Sequence, residues 1–237
     1  MRYRRGFFPL YSPKGTPSPQ KYTTLYVRPL RNSIVLRPGT SDGEVLWETF
    51  HGLYHLPPPL GHEPSVIWDL GANVGLTTAH FASLFAAAKV IGVELDRETA
   101  TLASRNVAPW SDRCKIVHAA VWPKGGEVAY AKLLGQEYGA KVTNDAEGVL
   151  RAPAISLNTL LARSAADQVD FLKMDIEGAE CVVLRECTAW ARSVRSIVVE
   201  VHDPYTIEEC VADLREIGFS AEADDRHWAC VRGERSL

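Results

Sequence analysis

The stretch Val66-Ile-Trp-Asp-Leu-Gly-Ala-Asn-Val-Gly75 constrains the fold of this chain most tightly. Val66 to Leu70 reads as a buried strand, Gly71 and Gly75 bracket a turn, and a helix starts near Val74. Glycine accepts unusual backbone angles and lets a bound molecule come close to the main chain. The helix start behind the turn offers N–H groups and partial positive charge to a carboxylate, a ribose or a phosphate. The spacing is G-x-N-x-G rather than the dinucleotide fingerprint G-x-G-x-x-G. A tight strand-to-helix turn without a ligand would look the same. The next strand, Lys89-Val-Ile-Gly-Val-Glu94, ends in an acid at about the 20-residue offset from which a carboxylate can hold ribose hydroxyls. Strand, turn, helix, strand and acid together make a nucleoside-binding βαβ unit.

Downstream the pattern keeps alternating. A helix is expected from about Asp96, its N-cap, to Asn106, and a third strand over Lys115–Ala120. A short edge strand is expected over Glu127–Lys132, an exposed insertion over Gly135–Gly148, and a short helix within Ala154–Arg163. Strand four is Val169–Asp175, followed by a helix over Gly178–Ala191; strand five is Ser196–His202, followed by a helix over Tyr205–Ile217. Phe219–Ala223 and His227–Arg232 close the chain as an antiparallel pair. Alternating units of this kind imply a parallel sheet with helices on both faces, and a site beyond the carboxyl ends of its strands.

Before Val66 the chain is different. Residues 1–22 hold Pro9, Pro13, Pro17 and Pro19, which resist regular structure. Thr24–Val27 and Ser33–Leu36 suit a hairpin, and Ser41 with Glu44 has capping-box spacing for a helix over about 42–52. This lead-in is too small for a core of its own and is expected to cap the nucleoside site.

Composition narrows the function classes. With 237 residues, 46% apolar and 23% charged, the chain matches one generous globular domain. No apolar run reaches the 18 residues of a membrane span, and MRYRRGFFPL lacks the apolar core of a secretory signal. Five cysteines without a C-x-x-C pair suit reduced thiols in a cytoplasmic protein. The net charge of −3 argues against general nucleic-acid binding, although residues 1–41 carry eight basic residues and no acid.

Ionisable residues gather at the strand ends: Asp69 on strand one, Glu94 on two, Asp175 on four, Glu200 and His202 on five. Lys173 and Asp175 share a face, as do Glu200 and His202. Charges at the ends of buried strands are costly unless they pair or work. At this point the residues resemble a family. Asp69-Leu-Gly-Ala-Asn-Val-Gly75, Phe171-Leu-Lys-Met-Asp-Ile-Glu-Gly-Ala-Glu180 and Val199-Glu-Val-His202 look like the motifs of FkbM-type S-adenosylmethionine-dependent methyltransferases, as does Arg37-Pro-Gly-Thr-Ser-Asp42. The resemblance covers roughly residues 30 to 220. Ser156-Leu-Asn-Thr-Leu-Leu161 stands where the family has T-L-D-x-L, so Asn158 departs from its acid.

The resemblance implies a class I methyltransferase fold, α/β and Rossmann-like. Its seven-stranded sheet is mostly parallel, with helices on both faces and one antiparallel strand near the C-terminus. The implied organisation is a flexible basic arm over 1–22, a hairpin and helix cap over 23–60 and a methyltransferase domain over 61–237. The implied activity is O-methylation of a small-molecule hydroxyl, on a sugar, glycolipid or polyketide-type product, with S-adenosyl-L-methionine as cofactor. Gly71, Asn73 and Gly75 would pack against the methionine portion and Asp69 would hold its ammonium. Ser41 would reach its carboxylate, Glu94 would bind the ribose, and Leu95 and Ala120 would flank the adenine. His202, whose free pKa lies near neutrality, is expected to be the base, oriented by Glu200 or Asp175. Glu177 and Glu180 suit the start of the next helix through its dipole. His51, His55 and His62 could line an acceptor pocket but are expected at the surface, while His80 and His118 are expected to be structural. No metal-binding spacing occurs, so no dedicated metal site is expected, with a Mg²⁺ held by Asp175 and Glu200 as the alternative left open. The acceptor's identity and any homo-oligomer are left open. Two other readings share the βαβ unit: a nicotinamide-dependent oxidoreductase and a non-catalytic binding protein.

Overall fold

The structure is a computed structural model and describes residues 21–133, 136–142, 150–164 and 166–235. The basic arm therefore lies almost wholly outside the described residues, as does the end of the expected insertion.

Two short strands, β1 (Thr23–Val27) and β2 (Asn32–Leu36), pair antiparallel, and α1 (Asp42–Trp47) runs on into a π-helical turn over Glu48–Gly52. Then come β3 (Val66–Leu70), α2 (Leu76–Leu84), β4 (Lys89–Glu94), α3 (Arg97–Asn106) and β5 (Cys114–His118). Four strands follow: β6 (Ala120–Val121), β7 (Gly126–Leu133), β8 (Gln136–Val142) and β9 (Leu150–Ile155). The chain continues through α4 (Leu157–Ser164), β10 (Val169–Met174), α5 (Glu180–Arg185) and β11 (Val194–Glu200). It closes with α6 (Ile207–Glu216), β12 (Ser220–Ala223) and β13 (Cys230–Glu234).

The central sheet has seven strands in the order β12-β13-β11-β10-β3-β4-β5. All neighbours from β11 to β5 are parallel, and β13 alone runs against both of its neighbours. This is the class I methyltransferase arrangement. The winding reverses between β3 and β10, which opens a crevice at their carboxyl ends.

The sheet buries both faces. On one side Trp68, Leu172, Val183, Trp190 and Leu214 pack together. On the other, Ile67, Phe171, Phe81 and Leu102 pack with Ile34, Leu36 and Leu46 of the lead-in. The lead-in is thus part of the core, and Asn106 of α3 fastens it: its Oδ1 accepts from Val35 N at 2.7 Å and its Nδ2 donates to Val35 O at 3.0 Å.

Several local expectations are corrected. Strand three stops at His118, and Ala120 opens β6 in a second, four-stranded sheet of order β6-β9-β7-β8. The strand expected at an edge, β7, lies inside that sheet, flanked by β8 and β9. Residues 136–142, expected within an exposed insertion, form β8 because β7 offers them a hydrogen-bonding edge. At α1, Ser41 is the N-cap but makes no capping hydrogen bond with its side chain. Asp42 instead holds Arg37, through its N–H at 2.8 Å and its guanidinium at 2.7 Å.

Candidate active site

The turn after β3 is tied to its own neighbours. The N–H groups of Gly71 and Ala72 both donate to Val93 O at 2.9 Å, and Gly75 N donates to Ala72 O at 2.8 Å. Asn73, at φ +48°, donates its N–H to Glu94 Oε2 at 2.9 Å, and its own Oδ1 accepts from Val74 N at 2.7 Å. All five N–H groups from 71 to 75 are therefore engaged, and the turn is no anion cradle. Its function is close approach. A Cβ on Gly71 would stand 1.6 Å from the carbonyl oxygen of Asp175, so β3 and β10 can meet only at a glycine. Gly75 serves packing as well: a Cβ there would stand 2.9 Å from Cα of Ala103, and the residue lines neither cavity described below.

Two cavities open at the crevice and share the wall Gly71, Asn73, Asp175 and Glu177. The first is a recess with an apolar lining that includes Val93, Leu95, Ala120, Val121 and Ile176, and Glu94 at its rim. Val142 of β8 completes it. The second is a chamber of about 600 Å³, within the range of small-molecule sites. It is bounded by Glu44, Glu48, Thr49, Tyr54 and His55 of the lead-in, and by Lys173, Glu200, His202 and Asp203.

Glu94 is held rigidly. Oε1 accepts from Asp96 N at 2.8 Å and Oε2 from Asn73 N. Burial, partly offset by these two bonds, pushes its pKa up to about 7. An ionised carboxylate has about four lone-pair positions, so two remain for a ligand.

Two other expected site residues lie behind the cavity walls. Asp69 is wholly buried: Oδ2 accepts from Thr78 Oγ1 at 2.6 Å and Oδ1 lies 3.6 Å from Lys173 Nζ, so its carboxylate lines neither cavity. Lys173 is buried between that acid and Asp175, to which it donates at 2.9 Å. Ser41 is buried and also lines neither cavity. Glu44, Glu48 and Tyr54 are among the lead-in's contributions to the chamber, and nothing in their spacing announced it.

His202 sits in a different setting from the one expected. Its Nδ1 is 3.0 Å from Oε1 of Glu180, a fully buried acid that also accepts from Ile176 N and Gly178 N. Nε2 is 3.7 Å from both Asp175 Oδ1 and Glu177 Oε2. Burial opposes charge on the ring, but the bond to Glu180 and these carboxylates outweigh it and raise the pKa to about 9. Glu180, which helix-dipole reasoning explained away, orients this histidine; Glu200 does not. This setting favours the charged ring and disfavours His202 as a proton acceptor near neutral pH. The facing atoms of Asp175, Glu177 and His202 lie within 4.8 Å of one another, a spacing that would admit a divalent cation.

Glu200 has the opposite setting. Its Oε2 is buried without a hydrogen-bond partner, while Tyr54 bonds the carboxylate. Burial first, and then the charge of Asp175, raise its pKa to about 7 against the pull of Lys173 and His202. Of the other histidines, His55 is buried rather than exposed, its Nε2 3.1 Å from Nδ1 of His80. Asn158 donates to Cys187 O at 2.7 Å and stands apart from both cavities. All five cysteines are free thiols. Among the described residues no helix is long and apolar enough to cross a membrane.

A testable consequence concerns the ring. Followed by NMR, His202 should titrate with a midpoint near 9, and Glu180→Gln should lower it by about one unit or more. Since the folded pKa lies above the free value of about 6.5, the ring's ion pairs stabilise fully below pH 6.5. That stability is lost as pH rises through about 9.

The methyltransferase FkbM domain family matches residues 69–225, which run from the end of β3 to just past β12 and include every strand-end residue of the crevice. The chain belongs to this family. The matched segment is a methyltransferase domain, of the kind that uses S-adenosylmethionine. A ribosomal RNA small subunit methyltransferase H from Nocardioides sp. is 41% identical over 64 residues, 27% of this chain. Those residues span 20% of that protein's length. Among solved structures, fibrillarin from Aeropyrum pernix, with natively bound S-adenosyl-L-methionine, aligns at TM-score 0.46 and 13% identity over 90% of this chain and 93% of that one. A precorrin-6y C5,15-methyltransferase from Geobacter metallireducens aligns at TM-score 0.45 and 12% identity, over 73% of this chain and 80% of that one. The fold assignment rests on the strand order itself. The crevice of this FkbM-domain protein fits the cofactor: it has an apolar recess for a flat base and a fixed carboxylate with spare acceptor capacity at the recess rim.

Proposed function

We propose that the chain is an O-methyltransferase that methylates a hydroxyl of a small molecule held in the chamber. The carrying observation is the shared wall of Gly71, Asn73, Asp175 and Glu177, which puts the nucleoside recess and the chamber side by side. Glu94 would accept from the ribose hydroxyls, while Leu95 and Ala120 would flank the adenine. When bound, the cofactor supplies an electrophilic methyl carbon on a positively charged sulfur. The chain's part is to aim the acceptor oxygen at that carbon, and alignment of this kind supplies roughly 7–11 kcal/mol.

Glu200 is the proposed proton acceptor, because it lines the chamber and its pKa, raised to about 7 by burial and then by Asp175, suits a base near neutral pH. As the new C–O bond forms and the C–S bond breaks, the hydroxyl proton passes to that carboxylate. His202, held by Glu180, would stay charged and position Asp175 and Glu177. An RNA acceptor is disfavoured, since its phosphates would meet a mouth lined by carboxylates.

The test is mass spectrometry of products formed with a CD₃-labelled cofactor from a panel of polyols and sugars. Label on oxygen is the expected result, with Glu200→Gln slower by about 10²–10⁴-fold in single turnover at unchanged cofactor affinity. Label only on nitrogen or carbon, or an unchanged Glu200→Gln rate, rejects this reading.

A further inference from the structure

The chamber lining carries six carboxylates: Glu44, Glu48, Asp175, Glu177, Glu200 and Asp203. Its two basic groups are already committed. Lys173 Nζ donates to Asp175 and to Gly71 O and sits 3.6 Å from Asp69, while His202 is held among Glu180, Asp175 and Glu177. Asp175 and Glu177 also line the recess and so serve the positively charged cofactor. Glu44, Glu48, Glu200 and Asp203 line the chamber alone, beyond the recess. The charge of the exposed Glu48 and Asp203 falls on whatever enters as acceptor. Crowding of negative charge is visible in Glu200 itself, which Asp175 pushes towards its neutral form. Tyr54 adds an aromatic ring to the same wall, a second group that favours a cation.

We infer that this chamber selects an acceptor carrying a positive charge, an amino alcohol or amino sugar with its ammonium near the reacting hydroxyl, and rejects carboxylated or phosphorylated alcohols. The inference rests on the proposed reading of the chamber as the acceptor site. The ammonium would lie towards Glu48 and Asp203 on the exposed side of the chamber, and the hydroxyl towards Glu200 on the buried side.

The test uses the full chain loaded with S-adenosylhomocysteine and three matched rings: trans-4-aminocyclohexanol, trans-cyclohexane-1,4-diol and trans-4-hydroxycyclohexanecarboxylate. Ligand-observed NMR at pH 7.5 should show the amine binding at least about tenfold more tightly than the diol, with the carboxylate weakest. The preference should fall below about threefold in 0.5 M salt, which shortens the screening length, and in the double variant Glu48→Gln/Asp203→Asn. Both side chains are exposed, and neither lines the recess, so S-adenosylhomocysteine affinity serves as the folding control. Equal or tighter binding of the diol or carboxylate overturns the inference, as does no binding of the amine at 20 mM. A preference unchanged in the double variant, or one abolished by EDTA, overturns it too, the latter because a bound cation would then be the source. The two readings fail separately. Methylation of neutral alcohols without charge preference removes the inference and leaves O-methylation standing, whereas a tight amine methylated on nitrogen does the reverse.

Discussion

Gly71→Ala is expected to leave no folded protein at 25 °C. The residue sits at φ +79°, where a side chain is strained, and its Cβ would lie 1.6 Å from Asp175 O and 2.8 Å from the carbon bearing that oxygen. Neither partner can yield. Gly71 N is bonded to Val93 O, and Asp175 N donates to Leu70 O at 3.0 Å, so both backbones are pinned in the middle of the sheet. Relief would require separating β3 from β10 at the crevice. The expected loss is more than about 4–5 kcal/mol, at the extreme of single substitutions. Circular dichroism and denaturant unfolding measure it; a cooperative transition within about 1 kcal/mol of wild type would contradict the geometry.

Lys173→Met should cost about 3–5 kcal/mol at pH 7, because among the described residues it removes the only basic group within 4 Å of Asp69 and one of two within 4 Å of Asp175. Asp69 has no solvent exposure, and burial already raises its pKa against the pull of Lys173 and Thr78. Without the ammonium its charged form is less tolerable still. The penalty should therefore shrink as pH falls, since Asp69 can then be buried neutral. Denaturant midpoints of wild type and variant between pH 5 and 8 provide the comparison. A difference that grew towards acid would reverse the sign and refute the account of the triad.

These two residues also show what the sequence disclosed. Gly71 stood out because a glycine after an apolar strand implies a turn, and Lys173 because a lysine inside an apolar strand must pair. The parallel sheet was legible for the same reason: its strands are continuous apolar runs separated by helical periodicity. What stayed hidden depends on partners far apart in the chain. β8 has no pattern of its own and exists because β7 offers an edge. Glu180 looked like a helix-dipole acid, and only the folded loop shows it bonded to His202, 22 residues away. The charge on His202 arises from three carboxylates of that loop, so its ordinary pKa was a poor guide. Asp69, Gly75 and Ser41 belong to the motifs, yet they support the site from behind its walls.

Calorimetric titration of S-adenosylmethionine into the full chain tests the central claim most directly, namely that the crevice between β3 and β10 holds the nucleoside at Glu94. One equivalent should bind to wild type, more weakly as pH falls through about 7 where Glu94 gains a proton. Glu94→Ala should lose about 10–100-fold in affinity, the worth of hydrogen bonds to a charged group. No binding by wild type, or equal affinity of Glu94→Ala at pH 8, would contradict it.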